Sequence, residues 1–216
     1  MKIEKFDLLV SIYIFCITAA ELMGAKTFEL VTISGFTLNA SVSIFLIPLI
    51  FTINDVITEV FGAKRARSVI RASLVVVGLI FLFSLLAIWL PPSKKFAATE
   101  NMYDAIFSTS ARISAASLIA LAVADFLDVF VFVKIRKSLG DSRLWFRNNV
   151  SNFISQFFDT TIFIFLAFYS LNDSISVNLN FLIGLVIPYW LLKCFLSVVE
   201  TPLVYLGVRW LKKDLS

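Results

Sequence analysis

Long apolar stretches alternate with short polar segments along almost the whole chain. Each stretch is about 20 residues long, the length of a membrane-spanning helix rather than of the shorter alternating strands of an outer-membrane barrel. We place six of them, at residues 6–26, 36–61, 68–90, 107–133, 149–171 and 179–208. The pattern predicts an all-α, polytopic membrane protein with six transmembrane helices, forming a single transmembrane domain over residues 1–216.

The composition supports the same class. Of the 216 residues, 59% are hydrophobic and only 16% are charged, whereas soluble domains are roughly a quarter charged. Histidine is absent and both cysteines, Cys16 and Cys194, lie in apolar stretches. The chain therefore lacks the commonest metal ligand, and we expect no metal site, cofactor or disulfide framework.

The distribution of basic residues predicts the orientation. Alternate loops and the two ends place fourteen Lys and Arg on one side and three on the other, namely Lys26, Lys94 and Lys95. Because cytoplasmic loops carry the excess of basic residues, both termini are predicted to be cytoplasmic. This asymmetry explains the net charge of +4 better than nucleic-acid binding does. Three spans per half would also permit an inverted 3+3 repeat.

Ionisable side chains lie within or at the ends of the predicted spans, where charge is costly unless it faces a cavity or a partner. Members of each polar cluster are three, four or seven residues apart and so share a helical face. Pairing cannot neutralise all the acids, so the surplus is protonated, hydrated or in contact with a ligand rich in N–H donors. Seven acids face two basic residues: Glu21, Asp55, Glu59, Asp125, Asp128, Asp159 and Glu200, against Arg112 and Lys193.

A structural role is the alternative for these groups. A single Thr or Gln in a span usually joins two helices through a hydrogen bond. Asp128 or Asp159 could equally form an ion pair with Lys193 or Arg112. The two roles are compatible, because an ion pair can also line a binding site. Aromatic side chains interleave the acids and would suit a flat heterocycle, among them Phe157, Phe158, Tyr189 and Trp190.

Four blocks of residues resemble the queuosine precursor transporters, also called the vitamin uptake transporter family. Their order and spacing match that family from the second span to the end of the chain. The blocks are Asp55-Val-Ile-Thr-Glu59-Val-Phe-Gly62, Leu127-Asp128-Val-Phe-Val-Phe, Arg147-Asn-Asn-Val-Ser-Asn-Phe-Ile-Ser155-Gln156-Phe-Phe-Asp159-Thr160, and Lys193 with Glu200-Thr201-Pro202. Two positions depart from the family, in which Gln often replaces Asp125 and Asp often replaces Glu200.

The resemblance implies a multi-pass protein of the bacterial inner membrane that imports a 7-deazaguanine (preQ0, preQ1 or queuine) for tRNA modification. It implies no enzymatic activity, and the partners would be the small-molecule substrate and membrane lipid, with a homodimer as an open alternative. We expect substrate contacts from eight residues: Asp128, Gln156, Asp159, Lys193, Asn152, Ser155, Glu200 and Asp125. We expect gating or coupling roles for Asn54, Asp55 and Glu59.

Two other classes of protein are weighed against this interpretation. A substrate-binding subunit of an energy-coupling-factor vitamin transporter has a similar length and also six helices. Its partner would dock on small residues, and Ala20 and Gly24 have the small-xxx-small spacing of such a patch. An intramembrane aspartyl enzyme is disfavoured, since Asp125 and Asp128 lack the accompanying catalytic motif.

Overall fold

The computed structural model contains seven α-helices and one β-hairpin among the residues it describes. These are residues 4–139, 144–199 and 201–212 for the backbone, and residues 4–123, 153–196 and 202–211 for the side chains. In chain order the elements are α1 (Lys5–Met23), β1 (Thr27–Ile33), β2 (Phe36–Ser41), α2 (Ile47–Phe61), α3 (Ala63–Trp89), α4 (Glu100–Leu139), α5 (Leu144–Phe168), α6 (Ile175–Val199) and α7 (Thr201–Lys212). Short 3-10 helices at Val42–Phe45 and Ala97–Thr99 precede α2 and α4.

The hairpin corrects the predicted start of the second span at residue 36. Strands β1 and β2 are antiparallel, with Ile33 opposite Phe36 and a two-residue turn between them. Both turn residues have positive φ, 50° at Ser34 and 85° at Gly35, as a type I′ hairpin turn requires. The alternation of apolar and polar residues in β2 is the strand signal that the search for long apolar stretches overlooked.

Five helical segments in the described part of the chain are long and apolar enough to cross a membrane. They are Lys5–Met23, Val42–Phe61, Ala63–Trp89, Ala97–Val123 and Ile175–Leu196, and Phe153–Phe168 is a shorter apolar helix. The prediction of a multi-pass helical membrane protein is thus confirmed. The count of six spans and the inverted repeat remain predictions.

The bounds of the other predicted spans also differ in the structure, most of all at the fourth and the sixth. The fourth begins earlier, at Glu100 rather than at residue 107. The predicted sixth span, 179–208, corresponds to two helices, since α6 ends at Val199 and α7 begins at Thr201. Pro202 lies in the first turn of α7, where its missing N–H leaves no hydrogen bond unmade.

Helix α3 buries small side chains and turns large apolar ones outward. In α3 the buried residues are Ala66, Val69, Ser73, Val77 and Ser84, spaced as one stripe of a helix. On the same helix Leu82 and Phe83 are 58% and 67% exposed. This arrangement suits a lipid bilayer, in which small residues let helices approach closely and large apolar ones face the hydrocarbon.

Helix α1 lies among α2, α3 and α4, while α6 packs on α5 and on β2 of the hairpin. The start of α1 meets the end of α7, because Nζ of Lys5 donates a hydrogen bond of 2.6 Å to the carbonyl oxygen of Trp210. The guanidinium of Arg65, at the start of α3, lies 4.8 Å from the ring centroid of Phe6. The basic ends of these helices therefore share one side of the molecule, away from the hairpin.

Candidate binding cavity

A cavity of about 280 Å³ lies between α1, α2, α3, α4, α5 and α6. Most of its wall is aliphatic, from side chains such as Ile17, Ile50 and Val77. Among the described residues, its polar lining includes two acids and one base: Glu21, Asp159 and Lys193. An apolar enclosure with a few convergent polar groups is typical of a small-molecule site, and pockets of this kind start near ~300 Å³.

An ion pair between α5 and α6 forms one polar part of the cavity. Nζ of Lys193 donates to Oδ2 of Asp159 at 2.7 Å and to Oγ1 of Thr160 at 3.0 Å. The two charged side chains are 17% and 23% exposed, so both are partly shielded. The structure thus brings together two of the predicted site residues. It also realises the predicted structural ion pair, and places that pair in the cavity wall.

Tyr189 joins the same cavity to the segment that follows the hairpin. Its hydroxyl donates to the carbonyl oxygen of Ser41 at 3.2 Å and lies 2.9 Å from Oγ of Ser43. The backbone N–H of Ser41 in turn donates to the Tyr189 hydroxyl. Since Tyr189 precedes Lys193 by one helical turn, these bonds fix the face of α6 that carries the lysine.

Glu21 reaches the cavity from α1. Its side chain is 7% exposed, and Oε2 has no hydrogen-bond partner among the described residues. Ser114 and Ser117 of α4 lie beside this carboxyl group. Glu21 is one of the seven acids within the predicted spans, but it had no predicted role in the site. The sequence feature that could have identified it is a carboxylate flanked almost entirely by apolar residues within a span.

Two predicted contacts on α5 lie elsewhere. Ser155 is buried and Gln156 is partly buried, yet neither is among the described residues that line the cavity. Oε1 of Gln156 lies 3.9 Å from the sulfur of Cys194. Ser155 and Gln156 precede Asp159 by four and three residues, so their side chains point near that of Asp159 but not in the same direction. On this part of α5, Asp159 and Thr160 reach the cavity.

The aromatic prediction needs a similar correction. Phe157 and Phe158 are 40% and 43% exposed and do not line the cavity. Trp190 contacts Phe157 instead, at 5.4 Å between ring centroids. Tyr189 does line the cavity, together with Tyr13, Phe163 and Phe168 among the described residues. Phenylalanine is too frequent in this chain for sequence spacing to identify those that face a ligand.

Three of the remaining predicted residues are described in the structure and do not line the cavity. Asn54, Asp55 and Glu59 lie on α2, where Glu59 is exposed and the carbonyl of Asn54 accepts a bond from Thr58; their gating role stays a prediction. The side chains of four predicted contacts lie outside the described residues: Asp125, Asp128, Asn152 and Glu200. Arg112 does not pair with Asp159 but donates to the carbonyl oxygens of Leu166 and Tyr169, where α5 ends and cations are favoured.

A multi-pass helical membrane protein with a mostly apolar, ligand-sized cavity that holds a few charged groups among its helices has the architecture of a membrane transporter. Comparison with known proteins agrees with this class. Residues 41–207, more than half of the chain, match the family described as "Putative vitamin uptake transporter". The chain belongs to this family, as its residue blocks predicted, and it is not an enzyme.

Two curated relatives are similar over much of the chain. A "Probable queuosine precursor transporter" of Bacillus subtilis (strain 168) is 28% identical over 202 residues, which cover 93% of this chain and 83% of the relative. The "Queuosine precursor transporter" of Escherichia coli (strain K12) is 31% identical over 144 residues, or 67% of this chain and 61% of the relative. No solved structure matches the chain significantly.

Proposed function

We propose that this protein imports 7-deazaguanine precursors of queuosine across the bacterial inner membrane. Membership of the vitamin uptake transporter family and the names of both relatives support transport of such precursors. The precursor binds in the cavity that helices α1 to α6 enclose. The observation that carries the proposal is the Lys193–Asp159 pair in the cavity wall.

This pair offers a hydrogen-bond donor and an acceptor side by side. The six-membered ring of a 7-deazaguanine carries the complementary pattern, with the O6 acceptor next to the N1–H and exocyclic NH2 donors. In the proposed complex, Nζ of Lys193 donates to O6, and Asp159 accepts from N1–H and the amino group. Because both protein groups are charged, these hydrogen bonds are stronger than those between neutral groups.

The rest of the cavity suits a planar bicyclic base. Aromatic rings from three of its walls (Tyr13, Phe163 and Tyr189) supply flat apolar surface, against which a heterocycle packs favourably. The aliphatic side chains exclude water, which strengthens the polar contacts.

A subunit of an energy-coupling-factor complex is less well supported by the geometry. Its expected docking patch included Ala20 and Gly24, but both residues line the cavity instead of an outer surface. Uptake by this chain expressed alone, without a coupling partner, would exclude the subunit interpretation.

The test uses a bacterial host that cannot synthesise queuosine and lacks its own precursor transporter. The host expresses this chain, receives preQ0, preQ1 or queuine singly, and its tRNA queuosine is measured. Asp159→Asn keeps the size of the side chain but removes its charge, and should abolish the modification at limiting precursor. Loss of a charge-assisted contact at a shielded site costs about 2–5 kcal/mol, or at least ~30-fold in affinity.

Asp173→Asn is the matched control, since Asp173 is exposed in the connection between α5 and α6 and lies outside the cavity. This variant should behave like the unmodified protein. Membrane abundance of both variants is measured in parallel. Full uptake of all three precursors by Asp159→Asn would reject the proposed site, and no uptake by the unmodified protein would reject the function.

A further inference from the structure

Glu21 is a buried acid that the pairing of Lys193 with Asp159 leaves unexplained. Its side chain is 7% exposed, it lines the same cavity, and Oε2 lacks a hydrogen-bond partner among the described residues. Ser114 and Ser117 lie beside the carboxyl group, but a buried carboxylate oxygen that has no donor of its own still costs free energy. A buried carboxyl group aimed into a cavity therefore indicates that a donor or cation from a ligand completes it.

The charge balance of the cavity favours a cation. Lys193 and Asp159 neutralise each other across 2.7 Å. Among the described residues that line the cavity, Glu21 is the remaining side chain that can carry a formal charge at neutral pH. An ionised Glu21 gives the cavity lining one net negative charge, and a ligand that brings one positive charge cancels it.

Glu21 and the ion pair lie at different depths of the bundle. Glu21 meets α4 at Ser114 and Ser117. Arg112 of α4 binds the carbonyl of Leu166, so α4 and α5 run antiparallel. Asp159, two turns before Leu166, is therefore level with the part of α4 near Ala120, which also lines the cavity. Glu21 and Asp159 therefore face the cavity at different levels along α4.

We infer that Glu21 binds an ammonium group carried on a short arm of the substrate while the ion pair binds the base. This inference rests on the proposed function. Among 7-deazaguanines, preQ1 and queuine carry an amine on the substituent at position 7, whereas preQ0 carries a neutral nitrile there. Glu21 is thus a specificity-determining residue that favours the cationic precursors over the neutral one.

The hydroxyl groups around Glu21 are consistent with this role. Oγ of Ser114 is buried and has no hydrogen-bond partner among the described residues, and Ser117 lines the cavity. The primary ammonium of preQ1 has three N–H donors and the secondary ammonium of queuine has two, so one carboxylate oxygen leaves at least one donor for a neighbouring oxygen. Both serines can accept from such a donor.

The test measures affinities of the purified full-length protein in detergent by titration calorimetry. The probes are preQ1, queuine, preQ0 and 7-deazaguanine without a substituent. Glu21→Gln retains shape and polarity but cannot be ionised. We expect it to weaken binding of preQ1 and queuine at least ~10-fold while the two neutral compounds change less than ~3-fold. Asp159→Asn should instead weaken all four, because every probe has the same ring edge.

Glu21→Asp guards against an effect on folding, since it keeps the charge and shortens the side chain. This variant should still prefer preQ1 to preQ0. Size-exclusion chromatography in detergent reports whether each variant is folded. An unchanged ratio of preQ1 to preQ0 affinity in Glu21→Gln would overturn the inference, as would an unmodified protein that prefers preQ0. If the unmodified protein binds none of the four compounds, the proposed function itself fails.

Discussion

Lys193 of α6 and Asp159 of α5 are held together by a 2.7 Å ion pair that also forms part of the cavity wall. The lysine reaches Thr160 as well, at 3.0 Å. One set of contacts therefore both connects two helices and presents a donor and an acceptor to the cavity. The structural role of the pair and its proposed contact with the ligand coincide in place, and mutations that remove both charges together can separate them.

The first prediction concerns this separation. Lys193→Met leaves Asp159 without its cation and should lower thermal stability, by less than the 3–5 kcal/mol typical of a fully buried pair because both groups are partly exposed. Lys193→Met combined with Asp159→Asn leaves no unpaired charge and should regain most of that stability. Uptake of queuosine precursors should stay absent in the double variant, since both ligand contacts are gone.

The measurements are the melting temperature of purified protein in detergent and tRNA queuosine in the host described above. Near-normal uptake by the double variant would show that Lys193 serves only to neutralise Asp159. It would also remove the ion pair from the proposed contacts with the base.

The second prediction concerns the hydroxyl of Tyr189. Tyr189→Phe removes a hydroxyl that accepts a hydrogen bond from the N–H of Ser41 and donates one to the carbonyl oxygen of Ser41. The same hydroxyl lies within hydrogen-bond distance of Oγ of Ser43. Leaving buried polar groups unsatisfied costs about 1–3 kcal/mol, so the melting temperature should fall. Tyr205→Phe is the control, because Tyr205 is 72% exposed on α7 and should have little effect. Equal melting temperatures for both variants would argue against these hydrogen bonds as a support of the cavity.

The helical parts of the fold follow closely from sequence because hydropathy over about 20 residues is a strong signal. The hairpin was not predicted because hydropathy averaged over about 20 residues hides the pattern of a six-residue strand such as β2. The Ser34–Gly35 turn depends on two positive φ angles, and Ser-Gly is a weaker indicator of a type I′ turn than Asn-Gly. A scan for period-two alternation would have found it.

The site was predictable only in its charged part. Asp159 and Lys193 stood out because ionisable groups are rare and costly inside a membrane. Gln156 does not line the cavity, because spacing alone does not fix the rotation of α5, and its predicted contact with substrate stays a prediction. Glu21 escaped assignment because its surroundings come from α4, which is distant in sequence and joined to α1 only by tertiary packing.

The third prediction tests the close approach of α6 to the hairpin. A Cβ atom at Gly184 would collide with the carbonyl oxygen of Thr37, a backbone atom that cannot move without β2. Gly184→Ala should therefore destabilise the protein by about 1–3 kcal/mol, as overpacking does. A Cβ atom at Gly78 of α3 would meet no atom within 4 Å. Gly78→Ala should therefore leave the melting temperature unchanged or raise it. The reverse order of stabilities would contradict the packing of α6 against β2.

The fourth prediction concerns the side of the membrane on which the chain ends lie. The hydrogen bond from Lys5 to the carbonyl of Trp210 places the start of α1 and the end of α7 on the same side of the molecule. That side carries most of the fourteen basic residues counted above, while Lys94 and Lys95 lie at the far end of α3. Because basic residues are retained in the cytoplasm, both chain ends should be cytoplasmic.

An alkaline phosphatase reporter, active only in the periplasm, distinguishes the two orientations. Fused after Ser216 it should be inactive, and fused after Lys95, in the exposed connection between α3 and α4, it should be active. Fluorescent protein fusions at the same two positions should give the opposite signals. Phosphatase activity at Ser216 would invert the proposed topology. The ion pair would stay in the cavity in that case, but Glu21 would then lie on the cytoplasmic side of Asp159 rather than on the periplasmic side from which an imported substrate arrives.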